Sequence, residues 1–149
     1  METRVLLEIP VAGGNFPAAG EAASKVKKTL QELGDSNLTR RVSIATYEAE
    51  MNIVIHADYG KIILQVDAGG ILVQAEDRGK GIPDLDQAMT EGFSTASERV
   101  REMGFGAGMG LPNMKKCADE LVIETELKIG TSVTMKFTYP PTTKLNQTS

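Results

Sequence analysis

The chain has 149 residues, 41% of them hydrophobic, which suffices to bury the core of one domain of ordinary size. A formal net charge of -4 supplies no basic field for a phosphate backbone, arguing against nucleic acid, and no apolar run reaches the length of a membrane span. Cys117 is the single cysteine, which excludes an internal disulfide and a cysteine-cluster metal site; with no charged-then-apolar leader at Met1, the expected compartment is the cytoplasm.

In chain order, "RVLLEIPVA" is a short apolar run ended by "GGNFP", a first strand and its loop. From about Ala18 to Leu33, Ala22, Val26, Leu30 and Leu33 recur at helical spacing with lysines opposite, and Gly34 follows as a stop. "GDSN" offers cap residues for a longer helix, roughly Leu38 to Ala57, with Val42, Ala45, Ala49 and Ile53 on its inward stripe. "KIILQVDA" and "ILVQAED" are two β-rich runs around Gly69 and Gly70, the spacing of a tight hairpin. "DLDQAMTE" suggests one or two helical turns, and "GFSTASERVREMGFGAGMG" has the composition of a mobile loop. "LPNMKKCADE" is a helix with Pro112 in its first turn, "LVIETEL" and "TSVTMKFTY" form a closing hairpin through "KIG", and residues 140–149 read as a polar, disordered tail. Five strands and about three helices without βαβ repeats predict an α+β domain over residues 1–139, with helices covering one face of a sheet.

Three groups of residues could carry chemistry. Glu48, Asn52 and His56 stand four apart and share one helix face, a set suited to orienting water, ligating a hard cation through a neutral oxygen and completing a hydrogen-bond network. The same three residues also fit a plain polar helix edge, and Glu50 is expected to point away into solvent. "EDRGKGIP" places Asp77 two residues before Gly79, itself two before Gly81, either a turn or a carboxylate aimed across bare backbone at a ligand. Gly104, Gly106, Gly108 and Gly110 alternate into a helix start, where unpaired amides and the macrodipole favour phosphate; a flexible hinge is the competing reading. "GxxxxGK[ST]", "HRD" and "DFG" are absent.

The order of these groups resembles the GHKL (Bergerat) ATP-binding fold of gyrase-type ATPases, histidine kinases and small anti-sigma serine kinases. "YEAEMNIVIHA" is similar to the family's Asn box, "EDRGKGIPD" to its first glycine box, "GFGAGMGLPNM" to its second, and Gly130-Thr131 to its closing Gly-Thr, together spanning about residues 4 to 139. The resemblance implies a two-layer sandwich with a mixed, mostly antiparallel sheet. It implies that Asp77 accepts the exocyclic amine of adenine, that Gly79 and Gly81 let the base approach, and that Thr131 supports that contact through water. Asn52 would ligate Mg²⁺ bridging the phosphates of ATP. The amides of Gly104, Gly106, Gly108, Gly110 and Leu111 would hold those phosphates, residues 92 to about 107 would be a lid, and Glu48 would be the general base.

Within the family, a chain of this size with its only histidine inside the Asn-box helix resembles the anti-sigma factor kinases and their switch-complex relatives. The implied activity is transfer of the γ-phosphate of Mg-ATP to a serine on a STAS-domain (anti-anti-sigma) partner. A sigma factor or a PP2C-type phosphatase are further partners in that group, and homodimerisation is left open. Two alternatives remain: a nucleotide-gated docking module without turnover, and an orphan histidine-kinase catalytic domain. Arg99 and Arg101 could reach phosphate or partner, though solvated loop charges are the plainer reading; His56 and Cys117 read as structural.

Overall fold

The computed structural model describes residues 3–90 and 110–140. The first strand, β1 (Arg4–Ala12), coincides with the run read from sequence. It tolerates Pro10 because it is an edge strand with a partner on one side only. Two helices follow, α1 (Glu21–Gln31) and α2 (Ser36–His56). The carboxylate of Asp35 accepts the backbone N–H of Leu38 at 2.9 Å and caps α2. The chain then passes straight into β2 (Ala57–Val66), turns into β3 (Gly70–Gly79), and makes a single helical turn, α3 (Leu85–Ala88). Helix α4 (Gly110–Cys117) and the hairpin β4 (Glu120–Glu126) and β5 (Gly130–Thr138) complete the described chain. The tail expected beyond Pro140 lies outside the described residues.

The five strands form one sheet in the order β1-β2-β3-β5-β4, and all four pairings are antiparallel, where a mixed sheet was expected. Placing the last strand between β3 and β4 sets the chain's final segment beside the strand that carries Asp77. Strand alternation sorts the side chains: Ile62, Leu64 and Val66 pair with Ala75, Val73 and Ile71, which pair in turn with Val133, Met135 and Phe137, all buried against the helices. Val26, Leu30, Leu38, Val42, Ala45, Ala49 and Ile53 close the core from the helix side. Fully burying a Leu or Phe side chain stabilises by about 1.5–3 kcal/mol, whereas an exposed ion pair contributes about 0–1 kcal/mol. The apolar layer therefore holds the sheet together, and the exposed pairs of Lys61 with Glu8 (3.1 Å) and Glu76 (3.9 Å) on the open face add little.

Several boundaries differ from the sequence reading: α2 begins at Ser36, two residues early, and β2 at Ala57, four residues before Lys61. Helix α1 begins at Glu21, three residues later than expected, because its N-cap is Gly20, which has no side chain to announce a start. The β2–β3 turn is centred on Ala68 and Gly69: Asp67 N–H donates to the Gly70 carbonyl at 3.0 Å, and the Asp67 carboxylate accepts from Gly69 (2.7 Å) and Gly70 (3.0 Å).

Candidate active site

Alternation along β3 sends Asp77 to the helix side of the sheet, in phase with Val73 and Ala75, and Thr131 on β5 is in phase with Val133. The β3–β5 ladder ends at Glu76 opposite Ser132. One residue further the Asp77 side chain takes over: its Oδ1 accepts the backbone N–H of Thr131 at 3.1 Å. Thr131 is buried and its hydroxyl lies 3.0 Å from that of Thr125 on β4, which also accepts the Ile82 N–H at 2.9 Å. Partial burial pushes the Asp77 carboxyl up, and the Thr131 N–H opposes this. The second oxygen, Oδ2, makes no hydrogen bond among the described residues, so it can accept from a ligand N–H.

The backbone around Asp77 is packed closely. A β-carbon on Gly130 would strike the Asp77 carbonyl, and Gly81, with φ +77, would drive one to 2.6 Å from the Glu126 carbonyl. A β-carbon on Gly79 would lie 3.0 Å from Cα of Ala57. Gly79 and Gly81 therefore already serve the packing of the chain on itself: Gly79 N–H donates to Ile129 O at 3.1 Å, and Lys128 N–H to Lys80 O at 2.9 Å.

The second half of the site lies where α2 meets the N-terminus of α4. A β-carbon on Gly110 would sit 3.4 Å from Oε2 of Glu48 and 3.9 Å from Oδ1 of Asn52, so two oxygens from one face of α2 converge on the start of α4. Asn113, one turn along α4, donates from Nδ2 to Oε1 of Glu48 at 3.5 Å. Burial raises the Glu48 pKa, and the Asn113 amide opposes the rise. Asn113 was missed by the sequence reading; the signal available was its place three residues after Gly110, on the same helix face. His56 lies two turns beyond Glu48, where burial and the nearby Lys80 charge lower its pKa.

Glu50 does not point into solvent as expected. It is 2% exposed and is bonded to the start of α1, because three backbone N–H groups there offset the cost of taking its charge out of water. Cys117 is partly buried against the core. Gly104, Gly106 and Gly108, the expected lid at residues 92–107, and Arg99 and Arg101 lie outside the described residues; Leu111 is buried in the core.

These groups suit a nucleotide. Asp77 offers an acceptor at the end of the sheet, and the N-terminal end of α4 offers a favourable field to phosphate beside the Glu48 and Asn52 oxygens. No group of three or more His, Cys, Asp or Glu that could hold a metal occurs among the described residues. Asn52 Oδ1 is a neutral oxygen beside the start of α4, the kind of donor a hard cation accepts. No described helix is long and apolar enough to cross a membrane.

Comparison with known proteins places the chain among relatives of one family. Residues 37–141 match the family described as "Histidine kinase-, DNA gyrase B-, and HSP90-like ATPase". The chain is 33% identical over 112 residues to the serine/threonine-protein kinase RsbT of Bacillus subtilis, covering 72% of this chain and 78% of that protein. It is 35% identical over 118 residues to the anti-sigma F factor of Caldanaerobacter subterraneus subsp. tengcongensis, covering 76% and 75%, and 33% identical over 120 residues to that of Clostridium novyi, covering 76% of each.

Proposed function

Because the chain belongs to the histidine kinase-, DNA gyrase B- and HSP90-like ATPase family, we propose that it is an ATP-dependent anti-sigma regulatory serine/threonine kinase. Its substrate in this reading is a serine of a STAS-domain (anti-anti-sigma) protein. A sigma factor or a PP2C-type phosphatase are further docking partners. The observation that carries the reading is the convergence of Glu48 Oε2 and Asn52 Oδ1 on the N-terminal end of α4, with Asp77 offering a separate acceptor at the end of the sheet. An adenine-recognition end and a phosphate end are then built from different elements, which lets affinity and chemistry vary independently.

Asp77 Oδ2 accepts the exocyclic amine of adenine while Oδ1 stays bonded to Thr131, so the base is read by a carboxylate already fixed in direction. Thr131, bonded to Thr125, supports the same contact through water. Asn52 Oδ1 is the protein ligand for Mg²⁺, which neutralises charge on the phosphates when bound. The backbone N–H groups at the start of α4, those of Gly110 and Leu111, hold the phosphates. Glu48 takes the proton of the attacking serine hydroxyl as the new P–O bond forms and the bond to the β-phosphate oxygen breaks. Burial suits Glu48 to this task, since a carboxylate with a raised pKa is a stronger base than an exposed one.

The test is transfer of labelled γ-phosphate from Mg-ATP into proteins of the source cell's lysate, comparing wild type with Glu48→Gln. The expected result is a small acid-stable phosphoprotein seen with wild type alone. An acid-labile band points instead to histidine-kinase chemistry. The absence of label above the Glu48→Gln background overturns catalysis and leaves a nucleotide-gated docking module.

A further inference from the structure

Glu50 stands two residues after Glu48 and two before Asn52, about 200° around the helix from each. It is 2% exposed. Its Oε2 accepts the N–H groups of Gly20 (3.0 Å) and Ala22 (3.1 Å), and its Oε1 accepts that of Ala23 (3.1 Å). Gly20 is the N-cap of α1 and makes no side-chain cap of its own. A carboxylate from the middle of α2 thus supplies the cap that α1 lacks, with charge of the sign that a helix N-terminus favours. The other side chains that α2 buries at this level, Ala45, Thr46, Ala49, Met51, Ile53 and Val54, make no hydrogen bond to another element among the described residues. Three directional bonds dictate the rotation of the helix, because a carboxylate moved by an ångström loses its donors.

We propose that Glu50 is a positioning residue for phosphoryl transfer: its grip on the α1 N-terminus sets the height and rotation of α2 that bring Glu48 and Asn52 to the start of α4. The inference rests on the reading of Glu48 as the base. Asp77, carried by the sheet, does not depend on this grip, so Glu50 acts through Glu48 and Asn52 and leaves recognition of the adenine end alone.

The experiment compares Glu50→Gln with Val26→Ala, a wholly buried α1 residue whose truncation also weakens the fold. Single-turnover transfer of labelled γ-phosphate into the lysate acceptor, affinity for ADP without Mg²⁺, and the NMR position of the Asn113 side-chain amide are read for both, well below their melting temperatures. Glu50→Gln is expected to slow transfer by about 10- to 100-fold, to leave the Kd for metal-free ADP within about threefold, and to shift the Asn113 amide. Val26→Ala is expected to keep transfer within about twofold of wild type and to leave that amide in place. Equal losses in the two variants, or an unmoved Asn113 amide in Glu50→Gln, would overturn the proposal. If Glu50→Gln does not fold, Glu50→Asp, which keeps the charge and shortens the reach, is read by the same criteria. A Glu48→Gln control that retains transfer counts against the base assignment itself, and the Asn113 amide still decides on Glu50.

Discussion

Oδ1 of Asp77 is bonded to the backbone N–H of Thr131 across the β3–β5 ladder, 54 residues away in sequence, which fixes the direction in which the other carboxylate oxygen faces. Asp77→Asn keeps the bond to Thr131 through the amide oxygen but turns the outward acceptor into a donor. ATP affinity is expected to fall by about 10- to 100-fold, the equivalent of about 1.5–3 kcal/mol for a charged hydrogen bond, with the melting temperature of the free protein little changed. Titration calorimetry and a thermal melt on the same variant check both halves.

Burial raises the pKa of Glu48, with the Asn113 amide opposing, and a general base works only when ionised. As pH falls, the protonated and inactive form should therefore accumulate sooner than for an exposed glutamate. The acid limb of the kcat profile is expected above the ordinary carboxylate range. Asn113→Leu removes the interaction that, among the described residues, lowers this pKa and should move the limb to still higher pH. A limb at the ordinary value in wild type would contradict the assignment of Glu48.

Gly130→Ala places a methyl group where the Asp77 carbonyl stands, at the join of β3 and β5. The strands must separate locally, so both the Asp77–Thr131 bond and nucleotide binding are expected to fail. The stability loss should be about 1–3 kcal/mol, in the range of an overpacked core. A denaturant melt and an ATP titration test it, and retained affinity would show that the carboxylate is oriented by other means.

Arg41 ties α2 to the far end of the sheet: Nε donates to the Cys117 carbonyl at 3.0 Å, and the guanidinium meets Asp119 at 3.1 Å. Asp119 in turn accepts the N–H (2.8 Å) and hydroxyl (3.1 Å) of Thr138. Burial pushes the Asp119 pKa up, but the two Thr138 bonds and Arg41 outweigh it, and the net shift is downward. A carboxylate with a lowered folded pKa stabilises above its unfolded value and loses that contribution as pH falls through the folded one. Asp119→Asn should therefore cost about 1 kcal/mol at neutral pH, after allowing for solvent screening, and the difference from wild type should shrink in strong acid. Urea melts across the acid range measure it.

Sequence pattern reveals what local periodicity encodes. The short runs "RVLLEIPVA" and "TSVTMKFTY" mark β1 and β5, and the four-residue spacing puts Glu48 and Asn52 on one face of α2. What it misses depends on contacts distant in the chain. Glu50 reads as solvated because charged residues usually are, and only the N–H groups of Gly20, Ala22 and Ala23 make its burial tolerable. The partnership of Asn113 with Glu48 spans 65 residues. The β2–β3 turn shifts by one residue because the Asp67 carboxylate competes for the glycine amides.

The strand order places β5 next to β3, so the orienting donor for Asp77 is among the last parts of the described chain to be synthesised. A ribosome-bound chain that has not yet released Thr131 holds the Asp77 carboxylate without its directional partner. A chain cut before Thr131 lacks the donor that orients Asp77, and is expected to bind ATP more weakly in a titration and to gain less stability from the nucleotide than the intact chain.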